Sequence, residues 1–163
     1  KITQQMDWEV ELAAIIGTRA KRVSEEDALN YVFGYSVMVD ISARDNRRAG
    51  QWIYSKGMDT YAPFGPCIVT ADEIPEPQAL NLWLKKNGET KQDSNTKFML
   101  FNVKTLVSDI SQGMTLEPGD IIATGTPSGV GAGRDPQEWL WPGDVIEAHV
   151  EGIGTIRNPI IAV

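Results

Sequence analysis

The stretch Asp7–Ile16, Asp-Trp-Glu-Val-Glu-Leu-Ala-Ala-Ile-Ile, constrains this chain more than any other. Side chains alternate along a strand, so Glu9 and Glu11 point to one face while Trp8, Val10 and Leu12 point to the other. From Ala13 to Ile16 the run is continuously apolar, as in a strand passing into a buried sheet, and Gly17 ends it. Two neighbouring carboxylates repel. Either water screens them on an open face, or something positive sits between them. Hard divalent cations favour clustered carboxylate oxygens. Asp40 is the best third ligand, because it ends a strongly apolar strand where an unpaired charge is costly. On pattern alone a solvated face for the glutamates, and a capping or turn role for Asp40, stay open.

Glycine and proline divide the rest into short segments. Ser24-Glu25-Glu26-Asp27 reads as the start of a short helix to about Tyr31, with Ser24 as cap and Asp27 as its reciprocal partner. Strands are expected at Tyr35–Asp40, Cys67–Thr70, Leu80–Lys86, Ile121–Thr124, Val145–Val150 and from Thr155 onward. Asn87-Gly88 is a strong hairpin signal. The best helical spacing runs from Thr96 to Ile110, through Met99, Val103, Leu106 and Ile110, with Asn95 or Thr96 as cap. Residues 46–57 read as a polar, basic loop or short helical turn. The balance is mainly β with short helices.

Composition narrows the function. Acidic residues number 22 against 15 basic ones, a net charge of −7, which argues against non-specific nucleic-acid binding. There is one cysteine, Cys67, so neither a disulfide framework nor a cysteine zinc site is available, and the usage suits a reducing, cytoplasmic setting. No 18-residue apolar run and no signal peptide are found, so no membrane role is expected. The first strand pattern begins almost directly after Lys1, as in a piece of something longer.

Other motifs are weak. Thr124-Gly125-Thr126-Pro127-Ser128-Gly129 lacks the lysine of a phosphate loop, and Gly129-x-Gly131-x-Gly133 has no long helix behind it, so both nucleotide readings fall. Main-chain N–H groups there can still line a carboxylate site. His149 is the only histidine and has no partner in view, and Lys56 read alone is a surface lysine.

Five fragments in order make a specific combination: D-W-E-V-E-L-A-A-I-I-G, G-Y-S-V-M-V-D-I-S-A-R-D, G-Q-W-I-Y-S-K-G-M-D-T-Y-A-P-F-G-P, M-T-L-E-P-G-D-I-I-A-T-G-T-P-S-G-V-G and E-G-I-G-T-I-R-N-P. Together they resemble the catalytic domain of the fumarylacetoacetate hydrolase family, from about Met6 to Ile160. The resemblance implies that family's mixed β-sandwich roll, a single catalytic domain over residues 1–163, and a homodimer. It implies Mg2+ or Mn2+ held by Glu9, Glu11 and Asp40, and a small-molecule 2-oxo acid substrate. Lys56 would contact the substrate near the metal and Thr126 its carboxylate end. Arg47 or Arg48 would grip a second carboxylate if the substrate has one.

The expected reaction is cleavage of a C–C bond in an acylpyruvate, with a cation acting as Lewis acid toward the 2-oxo oxygen and Lys56 adding positive charge where the enolate builds up. An isomerase or decarboxylase of a 2-oxo diacid, or a sugar-acid dehydratase, shares that half of the chemistry. A non-catalytic remnant of the fold is the alternative from another class. Two departures bear on the choice. Hydrolytic members of the family generally carry a histidine–glutamate pair from an upstream segment or lid, and no histidine precedes the D-W-E-V-E-L strand here. Asn46-Arg47-Arg48-Ala49-Gly50 does not cleanly show the glutamine that many relatives carry after A-R-D.

Overall fold

The computed structural model describes residues 3–162. In chain order the strands are β1 (Met6–Asp7), β2 (Val10–Ile16), β3 (Val32–Val39), β4 (Ser42–Ala43), β5 (Phe64–Thr70), β6 (Asn81–Lys86), β7 (Glu89–Asn95), β8 (Ile121–Ala123), β9 (Val145–Val150) and β10 (Gly154–Pro159). Two α-helices interrupt them, α1 (Trp52–Lys56) and α2 (Val103–Gly113). All strand pairs are antiparallel. They form one sheet in the order β5-β3-β2-β8, a second in the order β10-β9-β6-β7, and the small β1-β4 ladder.

The two large sheets lie face to face, β2 and β3 against β6 and β9, with β10 against β5. Alternation puts Val10, Leu12, Ala14 and Ile16 into one core with Leu82, Leu84, Ile146, Ala148 and Val150. Each large aliphatic side chain buried there contributes on the order of 1.5–3 kcal/mol. This is the expected mainly β sandwich with short helices. Every residue of β2 is buried, so its second face is covered too. That is why its apolar run is continuous.

Two helical expectations are corrected. The Thr96–Ile110 helix is in fact two pieces. Asn95 caps only a 3-10 turn, Thr96–Phe98, accepting from Lys97 N at 2.9 Å. α2 starts afresh after Asn102, whose side chain accepts from Thr105 N at 2.9 Å. A polar cap at Asn102 outcompetes helical continuity through residues 99–101. Ser24 does pair reciprocally with Asp27, Oγ to Oδ2 at 2.8 Å and N to Oγ at 3.2 Å, but only a 3-10 turn follows, at Ala28–Tyr31. The segment is too short to repay helix nucleation before Val32 joins β3.

The Asn87-Gly88 hairpin joins β6 to β7 as expected, and β7 carries a bulge. Leu84 faces Gln92 and Lys85 faces Thr90, leaving Lys91 without a partner across the ladder. Consecutive polar residues Lys91 and Gln92 are therefore both buried. Lys91 Nζ meets Glu89 at 2.8 Å and Glu138 at 2.9 Å. The glycine-rich segment packs on this bulge. A Cβ on Gly129 would stand 2.2 Å from the Lys91 carbonyl oxygen, and one on Gly131 would stand 1.9 Å from that of Glu138. Close backbone approach, not nucleotide binding, explains these glycines.

Asp7 ties that segment to the strands. Its carboxylate is completely buried and accepts from Trp8 N at 2.8 Å, Gly131 N at 2.6 Å, Ala132 N at 3.0 Å and Arg44 Nε at 2.9 Å. A buried charge is stable only with such a full set of donors. Replacing Asp7→Asn sets an amide N–H2 against those donors and leaves Arg44 half paired. The variant should lose about 3 kcal/mol or more of stability, read as a lowered urea midpoint at unchanged slope. An unchanged midpoint would show that Asp7 does not organise this region.

Candidate metal centre

The β2–β3 register builds the site. Val10 faces Val39, so Glu9 falls opposite Asp40, whose N–H donates to the Glu9 carbonyl at 2.8 Å. Glu11 lies two residues beyond Glu9 on the same face. One carboxylate oxygen from each of Glu9, Glu11 and Asp40 lies within 4.8 Å of the others. Glu9 is 7% exposed and Glu11 3%, so no open water layer screens them.

Cations do so instead. α1 packs against β4 and the Arg44–Asn46 turn, which aims Lys56, at its C-terminal end, back at the strands. Lys56 Nζ donates to Glu9 Oε2 at 2.8 Å and to Asp40 Oδ2. Arg44 Nη2 donates to Glu9 Oε1 at 2.5 Å while its Nε holds Asp7. Glu11 is the least compensated of the three, with Gly125 N donating to its Oε2 at 2.8 Å. Burial, together with the nearby Asp40 and Glu9 charges, pushes its carboxyl up from 4.5 to about 7, against the pull of Gly125 N and Lys56. Burial also raises Asp40, although Lys56 works against it. Burial pulls Lys56 down, but its hydrogen bonds to Asp40 and Glu9 prevail and raise it.

The donor set fits a divalent cation of hard character. Around an ion with oxygen ligands at about 2.1 Å, opposite donors lie roughly 4.2 Å apart, close to the spread found here. The ammonium of Lys56 already shows that positive charge is stabilised between Glu9 and Asp40.

The segment after β8 runs alongside β2. Thr124 Oγ1 donates to the Leu12 carbonyl at 2.7 Å and Thr126 Oγ1 to the Val10 carbonyl at 2.9 Å. Thr126 also accepts from Gln92 Nε2 at 2.8 Å, and Gln92 Oε1 accepts from Val10 N at 3.0 Å. The hydroxyl proton of Thr126 is thus committed to the strand. A cleft of about 480 Å3 opens beside the carboxylates, lined by Glu9, Arg44, Arg47, Thr126, Pro127, Ser128, Val130, Ala132 and Gly133.

The structure therefore gathers Glu9, Glu11, Asp40 and Lys56, and sets Thr126 and Arg47 on the cleft wall. Arg48 is elsewhere, its guanidinium 3.9 Å above the Tyr54 ring. His149 stacks on Trp83 on the half-exposed face of β9, with Nδ1 2.9 Å from Thr155 Oγ1. Sequence reading missed Asp7, Arg44 and Gln92. The signal for Asp7 was a third carboxylate in the same alternation as Glu9 and Glu11, and for Arg44 its place directly after β4. Gln92 sits in a polar strand with no period to reveal it.

Over residues 1–161 the sequence matches the family model described as fumarylacetoacetate (FAA) hydrolase C-terminal. It is 45% identical over 161 residues to the oxaloacetate tautomerase YisK of Bacillus subtilis, covering 98% of this chain and 54% of that protein. Among solved structures, a fumarylacetoacetate hydrolase from psychrophilic Exiguobacterium antarcticum superposes with a TM-score of 0.95 at 47% identity, covering 99% of this chain and 58% of that one. A fumarylpyruvate hydrolase from Pseudomonas aeruginosa, in complex with Mn2+ and pyruvate, superposes with a TM-score of 0.90 at 30% identity, covering 99% and 68%. The chain spans about half the length of the curated relatives it matches. The chain belongs to the fumarylacetoacetate hydrolase family and has the fold of its C-terminal domain.

Proposed function

We propose that the chain is the cation-binding catalytic domain of an enzyme that forms and discharges the enolate of a small 2-oxo acid. Cleavage of an acylpyruvate to pyruvate and a carboxylic acid is the first reading. The observation that carries it is the cluster of Glu9, Glu11 and Asp40 with Lys56 on two of them, Glu9 also lining the neighbouring cleft. Glu9, Glu11 and Asp40 would hold Mg2+ or Mn2+, and such an ion supplies Lewis acidity toward a 2-oxo group.

The chain's own residues do the rest. Lys56 places a fixed ammonium where negative charge develops on the 2-oxo oxygen. Arg44 holds the other oxygen of Glu9, Oε1, so that the orientation of Glu9 does not rest on Lys56 alone. With its hydroxyl held by the Val10 carbonyl, Thr126 presents the backbone of residues 126–128 to a substrate carboxylate. Water for hydrolysis enters through the cleft. A homodimer and a cytoplasmic setting belong to the same proposal. The exposed Phe98, Leu100 and Phe101 support the dimer, and no helix among the described residues is long and apolar enough to cross a membrane.

A second reading, keto–enol tautomerisation of an oxaloacetate-like acid, is favoured by the likeness to the Bacillus subtilis tautomerase. A product assay with Mn2+ and a chelator control separates the two. Acetylpyruvate or fumarylpyruvate giving pyruvate supports hydrolysis. Loss of the enol absorbance of oxaloacetate, faster than in buffer and without pyruvate, supports tautomerisation. Chelator-insensitive turnover, or neither reaction, would count against the proposal.

Glu11→Gln should abolish turnover. In the ion-free state it should also raise stability at pH 8. The folded-state pKa of Glu11 is raised, so the folded chain holds a proton more tightly than the unfolded one. Stability is therefore lost as pH rises from 4.5 through about 7, a cost on the order of 3 kcal/mol that the glutamine avoids. Thermal melts of both forms at pH 5 and pH 8 measure this, and the gap between them should close at pH 5. Conversely, Mn2+ should raise the melting temperature of the wild type more at pH 8 than at pH 5.5, where it must displace the Glu11 proton. Lys56→Ala should lower kcat about a hundredfold or more with the fold retained, and an unchanged kcat would return Lys56 to an ordinary ion pair.

A further inference from the structure

β8 pairs with β2 only as far as Ala123, opposite Ala13, yet the chain beyond it stays beside β2 in the same register. Thr124 falls opposite Leu12, with its N–H 3.3 Å from the Leu12 carbonyl oxygen and its Oγ1 donating to that oxygen at 2.7 Å. Two residues on, Thr126 falls opposite Val10, and among the described residues no main-chain hydrogen bond joins the two. A side chain takes its place. Gln92 Oε1 accepts from Val10 N at 3.0 Å, while its Nε2 donates to Thr126 Oγ1 at 2.8 Å and to the Pro127 carbonyl at 2.9 Å. A carboxamide offers the same acceptor and donors as a peptide group. Gln92, only 1% exposed, therefore stands in the ladder where a backbone unit is missing.

This insertion shapes the cleft. Val10 lies between Glu9 and Glu11, so Gln92 and Thr126 fasten the 126–128 segment to the part of β2 that carries the carboxylates. The Thr126 hydroxyl gives its proton to the Val10 carbonyl, which leaves the main chain as the donor toward the cleft. With the Pro127 carbonyl turned onto Gln92, the Ser128 N–H of the same trans peptide points the opposite way. That N–H has no protein acceptor among the described residues, and Ser128 lines the cleft together with Glu9. An uncommitted main-chain donor beside a cation site suits an anion oxygen. We propose that Gln92 is a positioning residue: it holds the Pro127–Ser128 peptide so that the Ser128 N–H donates to the substrate carboxylate. Gln92 thereby sets the affinity for substrate while touching neither substrate nor cation. The inference rests on the 2-oxo acid reading above and adds to it a buried residue of β7 and the donor that this residue aims.

The test is calorimetric and does not depend on turnover. Mn2+ is titrated into the ion-free chain, and pyruvate then into the Mn2+-loaded chain. Gln92→Met keeps the length of the side chain and loses the amide. It should leave the Mn2+ affinity within about threefold of the wild type and weaken pyruvate binding at least about tenfold. Gln92→Glu still accepts from Val10 N and so keeps β2 paired, but its carboxylate has no proton to give to Pro127. It should likewise weaken pyruvate binding and not Mn2+ binding, which keeps the test open if the methionine variant does not fold. Val107→Ala opens a cavity on the buried side of α2, away from the cleft wall, and should lower the melting temperature with both affinities unchanged. Unchanged pyruvate binding in a folded Gln92 variant, an equal loss of Mn2+ affinity, or the same pyruvate loss in Val107→Ala overturns the positioning role while the 2-oxo acid reading stands. A wild type that binds Mn2+ and not pyruvate overturns both.

Discussion

Everything in the site depends on burying three carboxylates side by side where β2 begins and β3 ends. In water their repulsion would be screened; here Glu9 and Glu11 are almost completely enclosed. The fold supplies compensation from three directions. Arg44 comes from the turn after β4, Lys56 from the end of α1, and Gly125 N from the segment after β8. The three come from different parts of the fold. The compensation is incomplete, since Glu11 still has its carboxyl pushed up to about 7. A buried cluster left short of positive charge is a strained arrangement without an additional cation, and that shortfall is the physical basis for the proposed function.

The surrounding architecture serves to hold this arrangement still. Asp7 couples the 129–133 segment to Arg44, and Arg44 in turn couples Asp7 to Glu9. The β7 bulge turns Gln92 inward, where it bonds to the β2 backbone and to Thr126. Carboxylate cluster and cleft wall are thereby joined through buried polar groups. Family membership fits this picture: the Pseudomonas aeruginosa relative contains Mn2+ and pyruvate in its structure, on a backbone that superposes closely with this one.

Much of this was legible in the sequence for a simple reason. Period-two alternation in a strand assigns faces without any knowledge of the partner strand, so Glu9 and Glu11 could be paired, and Asp40 stood out as a charge ending an apolar run. The Asn87-Gly88 turn was equally clear because its chemistry is local. The Thr96–Ile110 helix failed because apolar spacing continued through a break that a competing side-chain cap at Asn102 imposes. β7 was invisible as a strand because its inward residues, Lys91 and Gln92, are polar and consecutive, which only a bulge explains. Asp7 and Arg44 were missed because their roles exist only once segments 124 and 37 residues away in sequence have met. Of the two arginines proposed together, only Arg47 reaches the cleft, a distinction set by which aromatic ring each one stacks on.

The most direct test of the central claim is calorimetric titration of Mn2+ into the ion-free chain at pH 7, repeated in buffers of different ionisation enthalpy. If Glu9, Glu11 and Asp40 form a cation site with Glu11 half protonated, one ion binds per chain. A fraction of a proton is then released on binding, and Glu11→Gln eliminates both signals. Absence of binding, or binding with the same affinity and proton release in Glu11→Gln, would contradict the account.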